Sequence, residues 1–238
     1  MISEEIRTRK IYPDGISEDS TSLCICEHRL TVRINDRPLY DIVCTGDDIE
    51  ELVTGRLYTD GFGRDIHPVI SEDKHTADVT TADDITDRET IICDTVNAPC
   101  PQRKLRMLKK DIPDAKTVFE MISLFGRDGD LHRKTGGTHR CIIYDTATDS
   151  YAAYEDISRH NAVDKAVGHA LIKGYDLSEC ILFTSGRVPV DMAEKVIAAG
   201  IPVLISKSVP TADSVKLAGE YGLTLICRAW KDSFEIFS

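Results

Sequence analysis

The feature of this sequence that most constrains its fold is a regular alternation between short apolar segments and amphipathic segments from residue 181 onwards. Short runs rich in β-branched residues predict strands, and apolar residues three or four apart predict helices. The predicted order is strand, helix, strand, helix, strand, over residues 181–185, 190–199, 203–206, 212–221 and 223–227. Both helices are followed by a glycine, Gly200 or Gly222, a residue that often terminates helices. This order predicts parallel strands with helices on both faces of the sheet.

Upstream of this unit the sequence predicts a smaller α/β part. Strands over 23–34 and 39–44 are separated by a turn, so they form a β-hairpin. The other predicted segments are a helix opening at Asp47 and Asp48, short strands and turns over 64–92, an irregular loop over 93–104, a helix over 116–125, a strand over 141–144 and a helix over 162–173. We therefore predict an α/β protein with two domains. The N-terminal α/β domain spans 1–125 and carries the loop near 93–104, and the C-terminal domain spans 126–238 with a mainly parallel sheet.

Composition argues against several classes of function. The chain carries 29 basic and 40 acidic residues, a formal net charge of −11, whereas a nucleic-acid surface requires a broad basic face. No apolar run approaches the roughly 18 residues of a membrane helix, and the N-terminus lacks the basic and apolar regions of a signal peptide. We therefore expect a cytoplasmic protein that binds neither nucleic acid nor membrane, with its eight cysteines reduced.

Three loops follow the predicted parallel strands at the edge of the sheet where ligands bind in such folds. They begin at Ser185, Ser206 and Cys227, and each contains at least one cation. The cations are Arg187, Lys207, Arg228 and Lys231. Several cations at one edge of an acidic protein predict an anionic ligand, with ordinary loop chemistry as the alternative.

Two further segments concentrate polar groups that suit a binding site. The first is Thr-Gly-Gly-Thr-His over 135–139, where paired glycines allow backbone N–H groups to approach an anion closely. The second spans 154–165, and its polar residues are Glu155, Asp156, Ser158, Arg159, His160, Asn161, Asp164 and Lys165. We expect a turn and the start of a helix there, with polar groups hydrogen-bonded to one another beside the first segment; the alternative is a solvated surface. His139 and His160 would act as acid and base, or orient a ligand.

At these residues the chain resembles the formate dehydrogenase accessory sulfurtransferase (FdhD) family. The matching segments, in the family's order, are 44–52, 59–61, 135–139, 155–165, 184–187 and 200–208. The resemblance implies a cytidine deaminase-like fold for the C-terminal domain, a smaller N-terminal α/β part and a homodimer. It also implies a function. Members accept sulfur as a persulfide from a cysteine desulfurase and pass it to the molybdenum cofactor, bis-molybdopterin guanine dinucleotide, destined for the formate dehydrogenase catalytic subunit.

The resemblance implies that this cofactor binds transiently, so that GDP should mimic part of it. The residues expected to bind it are Thr135, Gly136, Gly137, Thr138, His139, Asp156, Arg159, His160, Asn161, Asp164, Lys165, Ser185, Arg187, Lys207, Ser208, Arg228, Ala229, Trp230, Lys231, Asp232 and Ser233. The glycine pair and the strand-end cations suit the pyrophosphate, and Asp156 or Asp164 suits the N1 and N2 donors of guanine. Trp230 would stack on a base or pterin, or cap the sheet.

The chain departs from the family at the sulfur-carrying loop. Family members have a Cys-Gly-x-Cys-Gly loop before the Thr-Gly-Gly segment, whereas this sequence has Cys93 and Cys100 in that region and no Cys-x-x-Cys. A persulfide carrier needs an exposed thiol with a lowered pKa. Cys100 lies between two prolines, just before Arg103 and Lys104, so it is the preferred carrier. Cys93 follows two isoleucines, which is typical of a buried strand residue.

Two functions therefore stay open. With a competent Cys100 or Cys93 the chain is a sulfurtransferase-like persulfide carrier, and with neither it is a non-catalytic chaperone that binds the molybdenum cofactor. Deaminase chemistry is excluded, because the His-x-Glu and Pro-Cys-x-x-Cys signatures of zinc deaminases are absent.

The remaining cysteines give no metal site in our interpretation. Cys24, Cys26 and His28 alternate along the predicted strand over 23–34 and would suit zinc, but their continuation into Leu30 and Val32 favours a buried face. Cys141 lies close to the candidate pocket in sequence, and we favour a strand residue packed in the core.

Overall fold

The computed structural model describes residues 2–82, 91–93, 103–109, 112–127 and 129–237. In the first half the elements are β1 (Ser3–Ile11), β2 (Ser17–Ile25), β3 (His28–Ile34), β4 (Arg37–Cys44), α1 (Ile49–Thr59), β5 (Val69–Ile70), β6 (Thr76–Val79) and β7 (Ile91–Cys93). In the second half they are α2 (Ala115–Arg127), α3 (Asp130–Thr135), β8 (His139–Asp145), β9 (Ser150–Asp156), α4 (Arg159–Ile172), β10 (Cys180–Thr184), α5 (Val190–Ala199), β11 (Val203–Ser206), α6 (Ala212–Tyr221), β12 (Thr224–Cys227) and β13 (Glu235–Ile236).

The predicted hairpin is present as β3 and β4, inside a five-stranded sheet with the order β5-β6-β3-β4-β7. The prediction of one strand over 23–34 is wrong, because the extended chain breaks at Cys26 and Glu27. β2 instead pairs with β1 in a separate two-stranded hairpin whose residues are mostly exposed. Cys24 is therefore exposed and does not continue the buried face formed by Leu30, Val32 and Ile34.

The C-terminal sheet has the strand order β13-β12-β11-β10-β8-β9. β10, β11 and β12 are parallel, as the βαβαβ pattern predicts. The sheet as a whole is mixed and not mainly parallel, because β8 is antiparallel to both β9 and β10, and β13 is antiparallel to β12. The antiparallel part arises from a short β8–β9 hairpin, whose turn includes Asp149 with φ 55°. The cytidine deaminase-like description stays a prediction.

Helices cover both faces of this sheet, as predicted. Successive residues of each strand face opposite sides, so Leu182 belongs to the core shared with α4 and α5, whereas Phe183 belongs to the core shared with α2. Met121 and Phe125 of α2 pack in this second core. α2 therefore lies on the C-terminal sheet, although the predicted N-terminal domain extends to residue 125.

Two glycines join the halves of the chain through α1 and α4. A Cβ atom at Gly55 would lie 1.8 Å from the carbonyl oxygen of Asp164, and one at Gly168 would lie 1.9 Å from that of Glu51. No side chain fits between these backbones, so the two helices are in direct contact. This contact places the loop after β4 beside the first turn of α4 and continues one hydrophobic core through both halves.

No helix in the described ranges has both the length and the apolar character that crossing a bilayer requires.

Candidate functional site

A cleft of about 750 Å³ lies at the carboxyl ends of β10, β11 and β12. Its volume is within the range of small-molecule sites, roughly 300–1,000 Å³. The predicted residues that line it are Gly136, Gly137, Thr138, His139, Ser185, Lys207, Ser208, Arg228 and Trp230. The structure thus brings the glycine segment and the three strand-end loops to one place. The sequence interpretation missed His132, Ile157 and Val209, which also line the cleft and carry no recognisable motif.

The glycine segment forms one wall of the cleft. α3 is capped by Gly136, whose φ of 66° is left-handed, and the Gly136 N–H donates to the His132 carbonyl oxygen over 2.7 Å. The Gly137 N–H donates to the Thr135 hydroxyl over 3.2 Å. Both glycine N–H groups are therefore used within the turn, and their binding of an anion stays a prediction. A Cβ at Gly137 would lie 3.1 Å from the Ile25 side chain, so this glycine lets β2 pack against the turn.

His139 and Ser185 meet at the floor of the cleft. Nδ1 of His139 lies 3.2 Å from Oγ of Ser185, which also accepts a hydrogen bond from the Arg140 backbone N–H over 3.0 Å. Burial, assisted by the positive charge of Arg159, lowers the pKa of His139 below its ordinary value of 6.5. The imidazole is then neutral at neutral pH, where it suits both proton exchange and hydrogen bonding to a ligand.

The strand-end cations differ in their surroundings. Lys207 is half-buried, with Nζ 4.8 Å from the centre of the Phe125 ring. Arg228 is exposed and donates to the Glu235 carboxylate over 3.0 Å. Arg187 is exposed and does not line the cleft, and the same holds for the predicted binding residues Lys231, Asp232 and Ser233. Ala229 is buried in the core on the α2 side. Of the four strand-end cations predicted to bind an anion, Lys207 and Arg228 line the cleft and Arg187 and Lys231 do not.

The segment over 154–165 is largely an internal polar network, because most of its members turn away from the cleft. Lys165 Nζ lies 3.0 Å from the Asp156 carboxylate and 2.7 Å from that of Asp47, and both Lys165 and Asp156 are fully buried. The Asp156 carboxylate accepts a hydrogen bond of 2.9 Å from the Asn161 side-chain amide and one of 3.2 Å from the Thr45 backbone N–H. We call these five residues the Asp156 network.

The Asp156 network connects α4 to the loop after β4. The predicted hydrogen bonding between polar groups of the segment 154–165 is confirmed by the bond from Asn161 to Asp156. Asp156 also lies opposite His139 in the pairing of β8 with β9, so the segment does lie beside the glycine segment. Burial acts to lower the pKa of Lys165, but the charges of Asp156 and Asp47 outweigh it and raise that pKa. Asp156, Asn161 and Lys165 therefore have protein partners, and none of them lines the cleft.

A second buried network contains charges that the sequence interpretation missed. Asp164 accepts two hydrogen bonds from Lys195 of α5, at 2.6 and 2.7 Å. Asp60 forms an ion pair with Arg56 at 2.7 Å and accepts a hydrogen bond from Arg103 over 2.8 Å. We call these five residues the Asp60 network. A lysine in a helix usually faces solvent, so the sequence gives little sign that Lys195 is buried. The sign that it does give is the apolar character of the neighbouring residues on the same face of α5.

Three more predicted residues lie away from the cleft wall. His160 is buried, with Nε2 3.1 Å from the Asp191 carboxylate, and burial lowers its pKa. Asp164 is fully buried in the Asp60 network, so it is not placed to read guanine. Arg159 is half-buried, and its side chain lies against Gly186.

The expected sulfur-carrying region is only partly described. Cys100 lies outside the described residues. The backbone of Cys93 ends β7 and pairs with Ile42, so Cys93 is in a strand and not in an irregular loop. Arg103 was expected to favour the Cys100 thiolate, but its side chain is 5% exposed and its guanidinium bonds to Asp60, so its charge is already compensated.

Cys141 and His28 have different surroundings. Cys141 is fully buried in the core, as we favoured, and burial raises its pKa. His28 bonds to the Lys74 carbonyl oxygen and stacks on His75, with ring centres 4.4 Å apart. In the described ranges no three His, Cys, Asp or Glu side chains are grouped so as to hold a metal ion.

Comparison with known proteins gives one consistent result. The model of the FdhD/NarQ family matches residues 25–238. The sulfur carrier protein FdhD of Thermoplasma acidophilum is 38% identical over 125 residues, which are 52% of this chain and 44% of that protein. The protein of the same name from Staphylococcus aureus (strain JH9) is 28% identical over 243 aligned residues, 95% of this chain and 91% of that protein.

The matched segment thus spans less than half of the Thermoplasma relative. Among solved structures the fold is similar to "Crystal structure of a putative formate dehydrogenase accessory protein from Desulfotalea psychrophila". The TM-score is 0.81 at 21% identity, over 100% of this chain and 97% of that one.

Proposed function

The chain belongs to the FdhD/NarQ family, and we propose on this premise that it is a sulfur carrier for the maturation of formate dehydrogenase. The observation that carries the proposal is the cleft at the strand ends, where a glycine turn, a histidine, cations and an exposed tryptophan converge. The relatives named sulfur carrier protein FdhD support the same function.

The ligand in this proposal is bis-molybdopterin guanine dinucleotide, bound transiently as the recipient of sulfur. Three features of the cleft suit such a ligand. Its volume of about 750 Å³ accommodates a nucleotide-sized group. Trp230, which is 53% exposed, offers a face for stacking on a purine or pterin. Lys207 and Arg228 provide positive charge for phosphates in a chain with a net charge of −11.

The sulfur would arrive from a cysteine desulfurase by thiol exchange. A thiolate of this chain attacks the outer sulfur of the donor persulfide, a new S–S bond forms, and the donor cysteine leaves as its thiolate. Release of the outer sulfur to the cofactor as sulfide then requires two electrons, which a thiol reductant supplies. Cys100 is the preferred carrier and Cys93 the second choice. We further propose that the protein is a cytoplasmic homodimer that delivers the cofactor to the formate dehydrogenase catalytic subunit.

A second candidate function is a cofactor chaperone without thiol chemistry. The observation that favours it is the absence of a Cys-x-x-Cys pair anywhere in the sequence. The cleft would then hold the dinucleotide and the protein would only present it to its partner.

Trapping of the persulfide separates the two functions. After incubation with a cysteine desulfurase and cysteine, mass spectrometry should show an added mass of about 32 Da on the peptide that contains Cys100. The adduct should disappear in Cys100→Ala and persist in Cys24→Ala, the matched control for an exposed cysteine. An adduct found only on Cys93 would identify Cys93 as the carrier. A protein that stays unmodified would contradict the carrier function and support the chaperone function.

A further inference from the structure

β1 and β2 form a two-stranded sheet of their own, which joins neither of the two larger sheets. We call this hairpin, residues 3–25, the arm. Most of its residues are exposed, and its contacts with the rest of the described chain are chiefly those of β2 with α3. A two-stranded hairpin on its own is at best marginally stable in water. Among the described strands β1 pairs with β2 alone, so the other edge of β1 is open to a further strand.

The open edge of β1 presents the backbone groups of its odd-numbered residues. Successive residues of a strand direct their N–H and C=O groups to opposite sides. Just beyond the two ends of β1, the Ile2 carbonyl oxygen and the Tyr12 N–H both bond to the β2 side of the hairpin over 2.9 Å. The even-numbered residues of β1 therefore bond to β2, whereas Glu5, Arg7 and Arg9 direct their backbone groups to the open side. Such an edge is a template for another strand.

The charges of β1 are divided between its two halves. Glu4 and Glu5 precede Arg7, Arg9 and Lys10, and all five side chains are exposed. In an antiparallel pair of two such strands, the acidic half of one lies opposite the basic half of the other. Opposite charges across neighbouring strands stabilise the pair, and like charges destabilise it. The charge pattern therefore makes β1 complementary to a second copy of itself.

Among the registers that pair most of β1 with its copy, one avoids like charges directly opposite each other. It places Ile6 on the two-fold axis, so that Glu5 faces the partner's Arg7 and Arg7 faces the partner's Glu5. These pairs use the backbone groups of the open edge, and Ile6, which is 42% exposed, covers the same side chain of the partner. An axis at Glu5 or Arg7 would instead place a charge against its own copy, and an axis at Thr8 would place Arg7 against the partner's Arg9.

We propose that β1 pairs antiparallel with β1 of a second copy of this chain, with Ile6 on the two-fold axis. The two arms then form one four-stranded sheet. The charge pairs come from Glu5 and Arg7, and they do not compete with the contact of Arg9 with Asp19 at 3.6 Å. The matched family model begins at residue 25, so this surface lies outside the matched part of the chain. The inference rests on the homodimer in the proposed function and names its surface, but it needs no thiol chemistry.

The size of this contact determines how strong the dimer should be. Two edge strands of nine residues should bury less than the about 1,200 Å² of a stable interface, so we expect a dimer that dissociates on dilution. The alternative function of the charges is to keep the edge free, since charged side chains on edge strands hinder pairing. In that case the arms of two chains would not pair.

The first measurement is a disulfide cross-link in the full chain carrying Cys24→Ala, which removes an exposed native thiol. At the axis the two Cα atoms of position 6 should lie about 4.5 Å apart, because this pair shares no backbone hydrogen bonds, and a disulfide spans that distance. Ile6→Cys should therefore give a cross-linked dimer with oxidised glutathione, seen on a non-reducing gel. Thr8→Cys is the matched control on the same face of β1, because it should lie roughly 13 Å along the strand from its counterpart.

The second measurement is the dissociation constant of the dimer, from analytical ultracentrifugation. Glu5→Arg and Arg7→Glu should each weaken association about tenfold, because each turns two attractive pairs of the symmetric dimer into repulsive ones. The double variant should restore association, since it exchanges the charges within each pair. Glu220→Arg is the matched control, because it makes the same change of charge at an exposed position of α6.

The outcomes separate the arm from the proposed homodimer. A dimer whose dissociation constant is unchanged by Glu5→Arg and Arg7→Glu would overturn the inference and leave the homodimer intact. A chain that stays monomeric at every concentration would contradict both. Equal cross-linking by Ile6→Cys and Thr8→Cys would also overturn the inference, because random encounters would then be the cause. So would an effect of Glu220→Arg as large as that of Glu5→Arg, because total charge would then decide association.

Discussion

The buried charges of the Asp60 network lie close to opposite charges, and Asp60 shows what such a partnership contributes. Asp60 is fully buried between Arg56 and Arg103. Burial acts to raise its pKa, but the charges of Arg56, Lys195 and Arg103 outweigh burial and lower the pKa from 3.8 to about 2. A carboxyl group with a lower pKa in the folded state stabilises that state above its unfolded pKa, and this stabilisation is lost as the pH falls towards the folded pKa.

We therefore expect Asp60→Asn to lower the free energy of unfolding at pH 7 by at least about 2 kcal/mol, which follows from the lowered pKa. The difference from the original chain should shrink as the pH falls from 4 towards 2, as measured by urea unfolding. Asp213→Asn is the matched control, since its carboxylate is exposed and its pair with Lys216 should contribute under about 1 kcal/mol. A difference for Asp60→Asn that does not change with pH would contradict this account.

Residue composition alone did not reveal which polar groups face a ligand. The sequence located the polar segment over 154–165, but Asp156 and Lys165 bind residues near position 45, more than 100 positions away in the chain. Charged residues are almost never fully buried unless they are paired, so an exposed or ligand-facing position was the natural expectation. Their partners become evident only when α1 and α4 are in contact.

At the scale of elements, the contact between α1 and α4 determines how the two halves meet. Gly168→Ala should separate these helices, because its Cβ would lie 1.9 Å from a backbone carbonyl that cannot turn aside. We expect a loss of at least about 1–3 kcal/mol of stability, the usual cost of overpacking, despite the higher helix propensity of alanine. The melting temperature should fall, and disruption of the Asp156 network should accompany it.

The matched control for this substitution lies in α6. Gly219→Ala places a Cβ where no atom lies within 4 Å, so the same chemical change should stabilise the protein by up to about 1 kcal/mol. Equal effects of the two substitutions on thermal unfolding would show that helix propensity, and not the contact between α1 and α4, decides the result.

Elements with clear local signals were predicted best. α5, α6 and β11 have the predicted bounds, because apolar periodicity and a following glycine define α5 and α6 locally. β9 was missed, since Tyr154, Glu155 and Asp156 have the polarity of a turn, and they form a strand only by pairing with β8. The cleft followed from the strand ends, whereas His132 and Ile157 join its lining only in the tertiary structure.

At the scale of the whole molecule, the region that is expected to carry sulfur lies between β7 and Arg103. Its upstream end is β7, at the edge of the N-terminal sheet. Downstream, Arg103 donates to the Asp191 carbonyl oxygen at the start of α5 over 3.2 Å, and to Asp60 over 2.8 Å. Arg103 therefore ties the chain downstream of Cys100 to the start of α5 and to the end of α1. Cys100 precedes Arg103 by three residues, so their Cα atoms are at most about 11 Å apart.

Arg103 should therefore act as a positioning residue for delivery of sulfur, and have little effect on its loading. Loading requires only that the donor enzyme reach an accessible thiol, whereas delivery requires the thiol to stay near the cleft. We expect Arg103→Ala to change the amount of persulfide on Cys100, measured by mass spectrometry, by less than about twofold. The rate of sulfur transfer to the molybdenum cofactor should fall at least about tenfold, because displacement of a reacting group costs that much or more. Arg103→Lys should restore transfer only in part, because lysine cannot reproduce the separate bonds to Thr59, Asp60 and Asp191. Equal losses in loading and transfer, matched by a loss of melting temperature, would indicate a role in stability alone.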